Sequence, residues 1–219
     1  MLCRGLPGQS ALGPRPDQLR LQLPRRRRGL VRVARRDGPH LDLHGQDVTL
    51  QTDRLVLRPL EPGYAGPITD ALQDWETVRW LSAVPWPYAL EDARWFIEEC
   101  AAGRIDSLAV THEGQLIGVM GGGDEFGYWF ARSAWGQGFA TEAARAYLDS
   151  HFADPAAGPV LSGHYLDNAR SRRVLDKLGF RETGPRPLHS RALGREFESM
   201  RMRLDRSDWE ASVASRPQG

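Results

Sequence analysis

The spacing of hydrophobic positions predicts an ordered region that begins near Val48 and contains both strands and amphipathic helices. Apolar or alternating segments bounded by turn residues predict strands at 54–60, 107–111, 116–120, 126–130, 159–166 and 195–204. Apolar residues recurring every three or four positions predict helices at 64–82, 90–102, 141–152 and 168–178. This order predicts a mixed α/β (α+β) fold with a central meander, and it argues against a doubly wound sheet or a barrel.

The first 45 residues differ from the rest in composition and charge. They hold ten Arg, three Asp and no aromatic residue, a charge of +7, whereas the whole chain carries +1, so the remainder is acidic. Such a segment predicts a disordered tail at 1–45, and the run Arg25–Arg28 either binds RNA or another anionic surface or is simply solvated. The folded domain is assigned to 46–205, and 206–219 to a C-terminal tail.

Several classes of protein and site are not expected. One of the two cysteines, Cys3, lies in the predicted tail, so a structural disulfide is not expected and a reducing cytoplasm fits better. No apolar run reaches the roughly 18 residues of a membrane span. No group of His, Cys and Asp has the spacing of a zinc site, so no metal is expected.

Two glycines, Gly136 and Gly138, lie between a predicted strand and a predicted helix. The first amides of a helix have no partner within it, and the helix dipole favours negative charge there. Glycine lets a phosphate approach closely because it has no Cβ atom. The loop therefore predicts a cradle for a phosphate-bearing ligand, although a glycine-rich turn without a ligand has the same pattern.

A second candidate is the start of the helix at 168–178. Asn168 is suited to cap this helix, and Ser171 lies one turn further on. A hydroxyl in this position can donate a hydrogen bond to an anion, but a plain N-cap and a serine without a function are equally compatible. A third candidate is Glu125, which precedes the aromatic strand at 126–130 and is either a proton acceptor or a solvent-facing residue at a strand end.

The motifs occur in an order that resembles the RimJ/RimL-type branch of the GNAT superfamily of N-acetyltransferases. The resemblance runs from about Leu50 to Leu204. Trp135 departs from it, since the family often has Gln or Arg there, and the link at 121–123 is shorter than in many relatives. The segments that carry the resemblance are Thr52-Asp53-Arg54-Leu55, Pro85-Trp86-Pro87, Gly127-Tyr128-Trp129, Gly136-Gln137-Gly138-x-Ala140-Thr141-Glu142-Ala143 and Asn168-x-x-Ser171 with Lys177-Leu178-Gly179-Phe180.

The resemblance implies the GNAT fold, with a mixed, mostly antiparallel sheet of six to seven strands and helices on both faces. It also implies that acetyl-CoA is a co-substrate whose acetyl group moves directly to a primary amine. Glu125 would be the base and Ser171 the acid, and Asn168 would orient the pantetheine arm or the acceptor. The residues implied to bind the cofactor are Trp129, Phe130, Ala131, Gly136, Gln137, Gly138, Phe139, Ala140, Thr141, Asn168 and Arg172. Those implied to bind the acceptor are Trp80, Trp86, Tyr88 and His164.

The acceptor class and the assembly stay open at this point. The expected partner is a small-molecule amine or a protein N-terminus, in a cytoplasmic monomer or homodimer that binds no membrane and meets nucleic acid only through the Arg-rich tail. One alternative is a non-catalytic acyl-CoA-binding or regulatory module. Another is a transferase for longer acyl groups.

Overall fold

The computed structural model describes residues 48–121 and 125–215. The predicted tail at 1–45, with its basic run, lies outside the described residues, as do Gly122 and Gly123 of the short link. No helix in the described part of the chain is both long enough and apolar enough to cross a membrane.

The strands form two antiparallel sheets, one of five strands and one of three. The first has the order β1-β2-β3-β4-β5 and the second the order β6-β8-β7. The strand bounds are β1 Leu50–Gln51, β2 Leu55–Pro59, β3 Leu108–His112, β4 Gln115–Gly121, β5 Gly127–Phe130, β6 Val160–Tyr165, β7 Arg181–Ser190 and β8 Arg195–Leu204. The helix bounds are α1 Ala65–Leu72, α2 Trp75–Val78, α3 Leu90–Ala101, α4 Phe139–Ala153, α5 Ala169–Leu178 and α6 Arg206–Ala214.

Helices cover both faces of the first sheet, as predicted for a mixed α/β fold. Successive side chains of a strand point to opposite faces. Leu108 and Val110 of β3 therefore pack in one buried cluster with α4 and α5, while Ala109 between them packs in a second cluster with α1 and α3. Every residue of this stretch is buried, which explains its continuous apolar sequence.

The predicted helix at 64–82 is interrupted. The chain leaves the helical conformation between α1 and α2, and the Asp74 side chain accepts a hydrogen bond from the Glu76 amide at 2.9 Å to cap the second, shorter helix. Periodicity alone missed this break because the apolar spacing continues through it.

Two segments near the C-terminus differ from the sequence-based expectation. Strand β7 was not predicted, since Pro185 and Pro187 hide its alternation; it lies at the edge of its sheet, where a missing amide donor is tolerated. The assignment of 206–219 to a tail is wrong for 206–214, which form α6. The Trp209 side chain on this helix is buried against Phe152, with ring centroids 6.2 Å apart, so burial of one large aromatic residue stabilises the helix.

Candidate active site

A cleft opens where the two sheets separate. The Phe126 amide donates to the Leu161 carbonyl at 2.7 Å, and the Ser162 hydroxyl donates to the Phe126 carbonyl at 2.9 Å. Beyond these contacts, no pairing joins β5 and β6 in the described part of the chain. Within the described residues, β5 pairs only with β4, and β6 only with β8. The facing strand edges therefore leave backbone groups available to a ligand that lies between them.

The cleft has a volume of about 680 Å³, enough for a ligand of considerable size. Its walls come from both sheets, from the N-terminal ends of α4 and α5, and from the segment after α2. Many of the expected site residues line it. These are Trp80, Glu125, Trp129, Phe130, Gly136, Gly138, Phe139, Ala140, Thr141, His164, Asn168 and Ser171.

The N-terminus of α4 forms part of the cleft wall. Gly136 and Gly138 have φ values of 76° and 82°, a left-handed conformation that favours glycine. The first helical bond in this turn runs from the Glu142 amide to the Gly138 carbonyl at 3.1 Å, so the amides before it lack helical partners. A Cβ atom added at Gly136 would meet nothing within 4 Å, so the space over this turn is open. The loop thus has the geometry expected of an anion cradle.

Trp135 has a defined role in shaping this loop. Its indole N–H donates to the Phe130 carbonyl at 2.8 Å, which ties the loop back to the end of β5. The Arg170 guanidinium stacks over the indole ring at 4.6 Å from its centroid. Trp135 therefore joins β5, the glycine loop and the start of α5, and its departure from the family pattern has a structural explanation.

Three cations on α5 add positive charge to the same cleft. Arg170, Arg173 and Lys177 are spaced three and four residues apart, which puts them on one side of the helix, and all three line the cleft. Arg172, the residue expected from the sequence, instead faces Asp176 at 3.8 Å and Glu182 at 3.1 Å, outside the cleft-lining set. The positive charge of the helix thus favours an anionic ligand, but Arg170, Arg173 and Lys177 supply it and Arg172 does not.

A hydroxyl pair spans the middle of the cleft. The Tyr128 hydroxyl on β5 lies 3.1 Å from the Ser171 Oγ on α5. The Ser171 amide donates to the Asn168 Oδ1 at 3.1 Å, which confirms that Asn168 caps α5. Because its oxygen holds the cap, the side-chain nitrogen of Asn168 is the part that can donate to a ligand. Burial raises the pKa of Tyr128 to about 12, although the hydrogen bond to Ser171 opposes the shift.

Glu125 forms an ion pair in the wall of the cleft. Its carboxylate accepts a short hydrogen bond from a guanidinium nitrogen of Arg186 on β7. The two side chains are 31% and 24% exposed, so water screens this pair less than an ordinary surface pair. Nothing in the local sequence indicates this partner, which lies 61 residues away.

Of the four residues that the resemblance implied for acceptor binding, two line the cleft and two do not. His164 lines the cleft and is buried; its Nδ1 lies 2.9 Å from the Tyr165 carbonyl, and its Nε2 has no hydrogen-bond partner among the described residues. Trp80 also lines the cleft. Trp86 is 38% exposed and packs edge-on against Trp75 at 5.2 Å, and Tyr88 is buried in the core beside α3. The structure does not bring Trp86 or Tyr88 to the cleft walls. The side chains of Ala131 and Gln137 also lie outside that set.

An ion-pair network fixes the first turn of α4. The Glu142 carboxylate accepts from the Thr52 hydroxyl at 2.5 Å and from the Arg54 Nε at 2.8 Å. Burial alone would raise the pKa of Glu142, but the hydrogen bonds from Thr52 and Arg54 outweigh it and hold the pKa below its ordinary value. The Arg54 guanidinium also lies over the Phe139 ring, 4.5 Å from its centroid. The Thr-Asp-Arg and Thr-Glu-Ala segments thus hold the glycine loop in place.

Glu142→Gln is expected to lower the free energy of unfolding by about 1–2 kcal/mol, because a charged hydrogen-bonded pair is lost but Arg54 is partly exposed. Urea unfolding monitored by tryptophan fluorescence measures the change. Glu61→Gln is the matched control, since its pair with Arg58 is 42–50% exposed and is expected to contribute about 0–1 kcal/mol. Since the folded-state pKa is lowered, the contribution of Glu142 is complete above the unfolded-state pKa and is lost as the pH falls through the folded-state value. Equal losses in both variants would contradict this role.

Tyr128, Arg186 and the α5 cations were not recognised as functional from the sequence. The spacing of Arg170, Arg173 and Lys177 is a signal that could have found the cations. Tyr128 lies next to recognised motif residues but was assigned no role. Arg186 stands between two prolines in a strand that was missed, and no sequence signal marks it.

Known proteins that are similar to this chain in sequence or in fold include acetyltransferases. The Acetyltransf_3 family, described as an acetyltransferase (GNAT) domain, matches residues 54–181, more than half of the chain. The Bacillus licheniformis protein named "Uncharacterized N-acetyltransferase p20" is 28% identical over 162 residues, covering 67% of this chain and 90% of the relative.

Solved structures agree on the fold. RimJ of Mycobacterium smegmatis, solved in complex with CoA-disulfide, superposes with a TM-score of 0.63 at 21% identity, covering 78% of this chain and 96% of that one. The Microcin C7 self immunity acetyltransferase MccE, solved with acetyl-CoA and AMP, gives a TM-score of 0.61 at 16% identity, covering 70% and 93%. At these identities the two structures establish the fold alone.

Proposed function

The chain belongs to the GNAT acetyltransferase family, and we propose that it transfers the acetyl group of acetyl-CoA directly to a primary amine bound in the cleft between β5 and β6. The observation that carries the proposal is a single cleft with three chemically distinct parts. Glu125 precedes β5, Tyr128 of the Tyr128–Ser171 hydroxyl pair lies within it, and the glycine loop at the α4 N-terminus follows it, and all of them line the cleft. That order matches a ligand with phosphates at one end and a thioester at the other.

The donor groups of the cleft fit acetyl-CoA. The amides at residues 136–141 suit a pyrophosphate, and the cations Arg170, Arg173 and Lys177 add charge complementarity. The unpaired edge of β5 at Trp129 and Phe130 suits the amides of a pantetheine arm, in the way that a strand edge binds an extended peptide. When bound, acetyl-CoA supplies an activated acyl carbon and a thiolate leaving group.

Ser171 and Tyr128 stabilise the leaving thiolate in this proposal. Ser171 donates its hydroxyl proton toward the sulfur, and Tyr128 donates toward the Ser171 Oγ, so two hydroxyls share the negative charge that develops there. Ser171 is held in place by the Asn168 cap. A thiol with a pKa of about 8.5 is a fair leaving group, and this assistance therefore contributes less than the activation of the amine.

The raised pKa of Tyr128 leads to a prediction about pH dependence. A tyrosine with its ordinary pKa near 10 would lose its proton at alkaline pH, whereas Tyr128 keeps its proton until about pH 12. With both substrates saturating, kcat is expected to show no fall centred near pH 10. The measurement is a kcat–pH profile of the wild type and of Tyr128→Phe between about pH 7 and 11. A fall centred near pH 10 in the wild type that disappears in Tyr128→Phe would refute the role of the neutral hydroxyl.

Glu125 acts as the base in this proposal. An amine attacks the acyl carbon only in its neutral form, and Glu125 accepts the proton from the ammonium group either directly or through one water molecule. The carboxylate lies at the acceptor end of β5, away from the phosphate end, so it faces an amine that enters from that side. His164 and Trp80 form the adjoining wall and would contact the rest of the acceptor.

The test is release of CoA thiol from acetyl-CoA in the presence of α-amino acids, N-terminal peptides, aminoglycosides and polyamines. Turnover with any amine, confirmed by mass spectrometry of the acetylated product, supports the proposal. Binding of acetyl-CoA without turnover across the whole panel would instead favour a non-catalytic acyl-CoA-binding module. Faster turnover with longer acyl-CoA thioesters would favour a transferase for longer chains.

A further inference from the structure

We propose that the acceptor is a small α-amino acid, whose ammonium group binds Glu125 and whose carboxylate binds Arg186. This inference rests on the proposed acetyl transfer and narrows the class of amine. It starts from the ion pair between Glu125 and Arg186, which the cleft contains in place of a lone carboxylate.

Arg186 has unused hydrogen-bonding capacity. A guanidinium carries five N–H donors in a planar fork that matches a carboxylate. One Nη donates to Glu125, and within the described residues the buried Nε has no hydrogen-bond partner. An unpaired donor of this kind is costly to bury unless a ligand completes it. A second carboxylate, brought by the ligand, would use the donors on the exposed part of the guanidinium that Glu125 leaves free.

The sheet register orients Arg186 toward the ligand. Tyr165 pairs with Ser199 on one side, and Arg186 pairs with Ser199 on the other, so these three residues form one row with their side chains on the same face. Leu188 lies two residues further along β7 on that face. Tyr165, Arg186 and Leu188 all line the cleft. The Arg186 guanidinium therefore lies beside the apolar side chains of Tyr165 and Leu188, where water and salt screen its charge only weakly.

Charge balance selects among the amines that the sequence left open. A polyamine or an aminoglycoside brings an ammonium group to Glu125 without an accompanying anion, which places a second positive charge next to the Arg186 guanidinium. An α-amino acid carries one charge of each sign. On binding, it replaces the Glu125–Arg186 pair with two ion pairs, one between Glu125 and its ammonium group and one between Arg186 and its carboxylate. Because Glu125 and Arg186 are in direct contact, the two charges of the ligand must also be close together, as they are in an α-amino acid.

A bridge at the acceptor end of the cleft favours a small ligand. The Arg191 amide, at the tip of the β7–β8 hairpin, donates to the Ser82 carbonyl at 2.9 Å, and its guanidinium donates to the Ala83 carbonyl at 3.0 Å. Ser82 and Ala83 themselves line the cleft. These bonds join the hairpin to the segment after α2, so a folded protein that presents its N-terminus would have to fit around this joined wall, whereas a small ligand would not.

The transfer is balanced without any further reactant. The ammonium gives one proton to the Glu125 carboxylate, and the freed lone pair forms the new N–C bond. The C–S bond breaks with its electron pair on sulfur, which receives the Ser171 hydroxyl proton. The second amine proton replaces the one lost from Ser171, and Glu125 releases its proton to solvent.

The test compares trios of related amines: an L-amino acid, its methyl ester and the amine that lacks the carboxyl group. We expect kcat/KM, corrected for the protonated fraction of each amine, to be about 10- to 100-fold higher for the amino acid than for the other two. In Arg186→Met the preference should vanish or reverse, and Arg186→Lys should restore part of it. Arg181→Met is the matched control, since Arg181 also lies on β7 in an ion pair, with Asp208, but outside the cleft walls.

Separate outcomes test the inference about the acceptor and the proposed acetyl transfer. Equal kcat/KM within the trios, or an equal loss for all three amines in Arg186→Met, would overturn it while leaving acetyl transfer intact. Absence of turnover with every amine would contradict the proposed function itself. Titration calorimetry of the amino acids against the protein saturated with CoA then decides the inference: binding that Arg186→Met abolishes supports it, and absence of binding overturns it.

Discussion

Glu125→Gln is expected to lower kcat by about 10²- to 10⁴-fold, the usual contribution of a positioned general base. Glutamine keeps the shape of the side chain and can still accept a hydrogen bond from Arg186, but it cannot take a proton. The amine must then lose its proton in solution, so the residual rate should rise with pH up to the pKa of the amine. A kcat–pH profile with saturating acetyl-CoA measures both effects.

The control for this experiment is Glu182→Gln. Glu182 also pairs with an arginine, Arg172, at 3.1 Å, but it lies outside the residues that line the cleft. Its kcat should stay within a factor of about two of the wild type, as for most surface substitutions. A Glu125→Gln enzyme with unchanged kcat and an unchanged pH profile would remove Glu125 from the mechanism.

Leu148→Ala is expected to lower the free energy of unfolding by about 2–5 kcal/mol. Leu148 lies on the inner side of α4 and is fully buried in the cluster that packs this helix against the first sheet. Truncation leaves a cavity beneath the helix whose N-terminus carries the glycine loop. Urea unfolding gives the change, since the slope with denaturant concentration should stay the same if only stability is altered.

Leu166→Ala provides the surface comparison, because this leucine is 43% exposed and its loss should cost far less.

The proposed cofactor also makes Leu148→Ala informative about function. A ligand that binds only the folded state at 100 times its Kd stabilises it by about 2.7 kcal/mol. Acetyl-CoA should therefore recover much of the stability lost in Leu148→Ala. Failure of acetyl-CoA to shift the unfolding midpoint of either protein would contradict binding at the α4 terminus.

Local sequence patterns predicted most of the elements that build the site. The helix at 168–178 was predicted within one residue, because Asn168 caps it and Gly179, at φ 90°, ends it. The strand at 195–204 has the predicted bounds. The α4 helix starts slightly earlier than predicted, at Phe139, directly after the left-handed Gly138. These signals depend on residues within one or two turns, so they are present in the chain before it folds.

The two elements that the sequence analysis missed, β7 and α6, have weak local signals. No strand was predicted at β7, whose prolines hide the alternation, although an edge position tolerates them. The α6 helix lies in the segment assigned to a tail, and contacts with distant residues hold it: Trp209 is buried against Phe152, and Arg206 donates to the Phe152 and Asp154 carbonyls. In both cases tertiary packing outweighed the local signal.

By itself, the sequence determined the fold class, the glycine loop at the start of α4, the Asn168 cap and the candidate acid and base. Only the tertiary structure decided what those groups face. Ser171 meets Tyr128 across 43 residues of sequence, and Glu125 meets Arg186 across 61. Helix caps and turns follow from bonding between near neighbours, whereas these pairs depend on where two sheets separate and on the register of β7 against β8, which no short stretch of residues specifies.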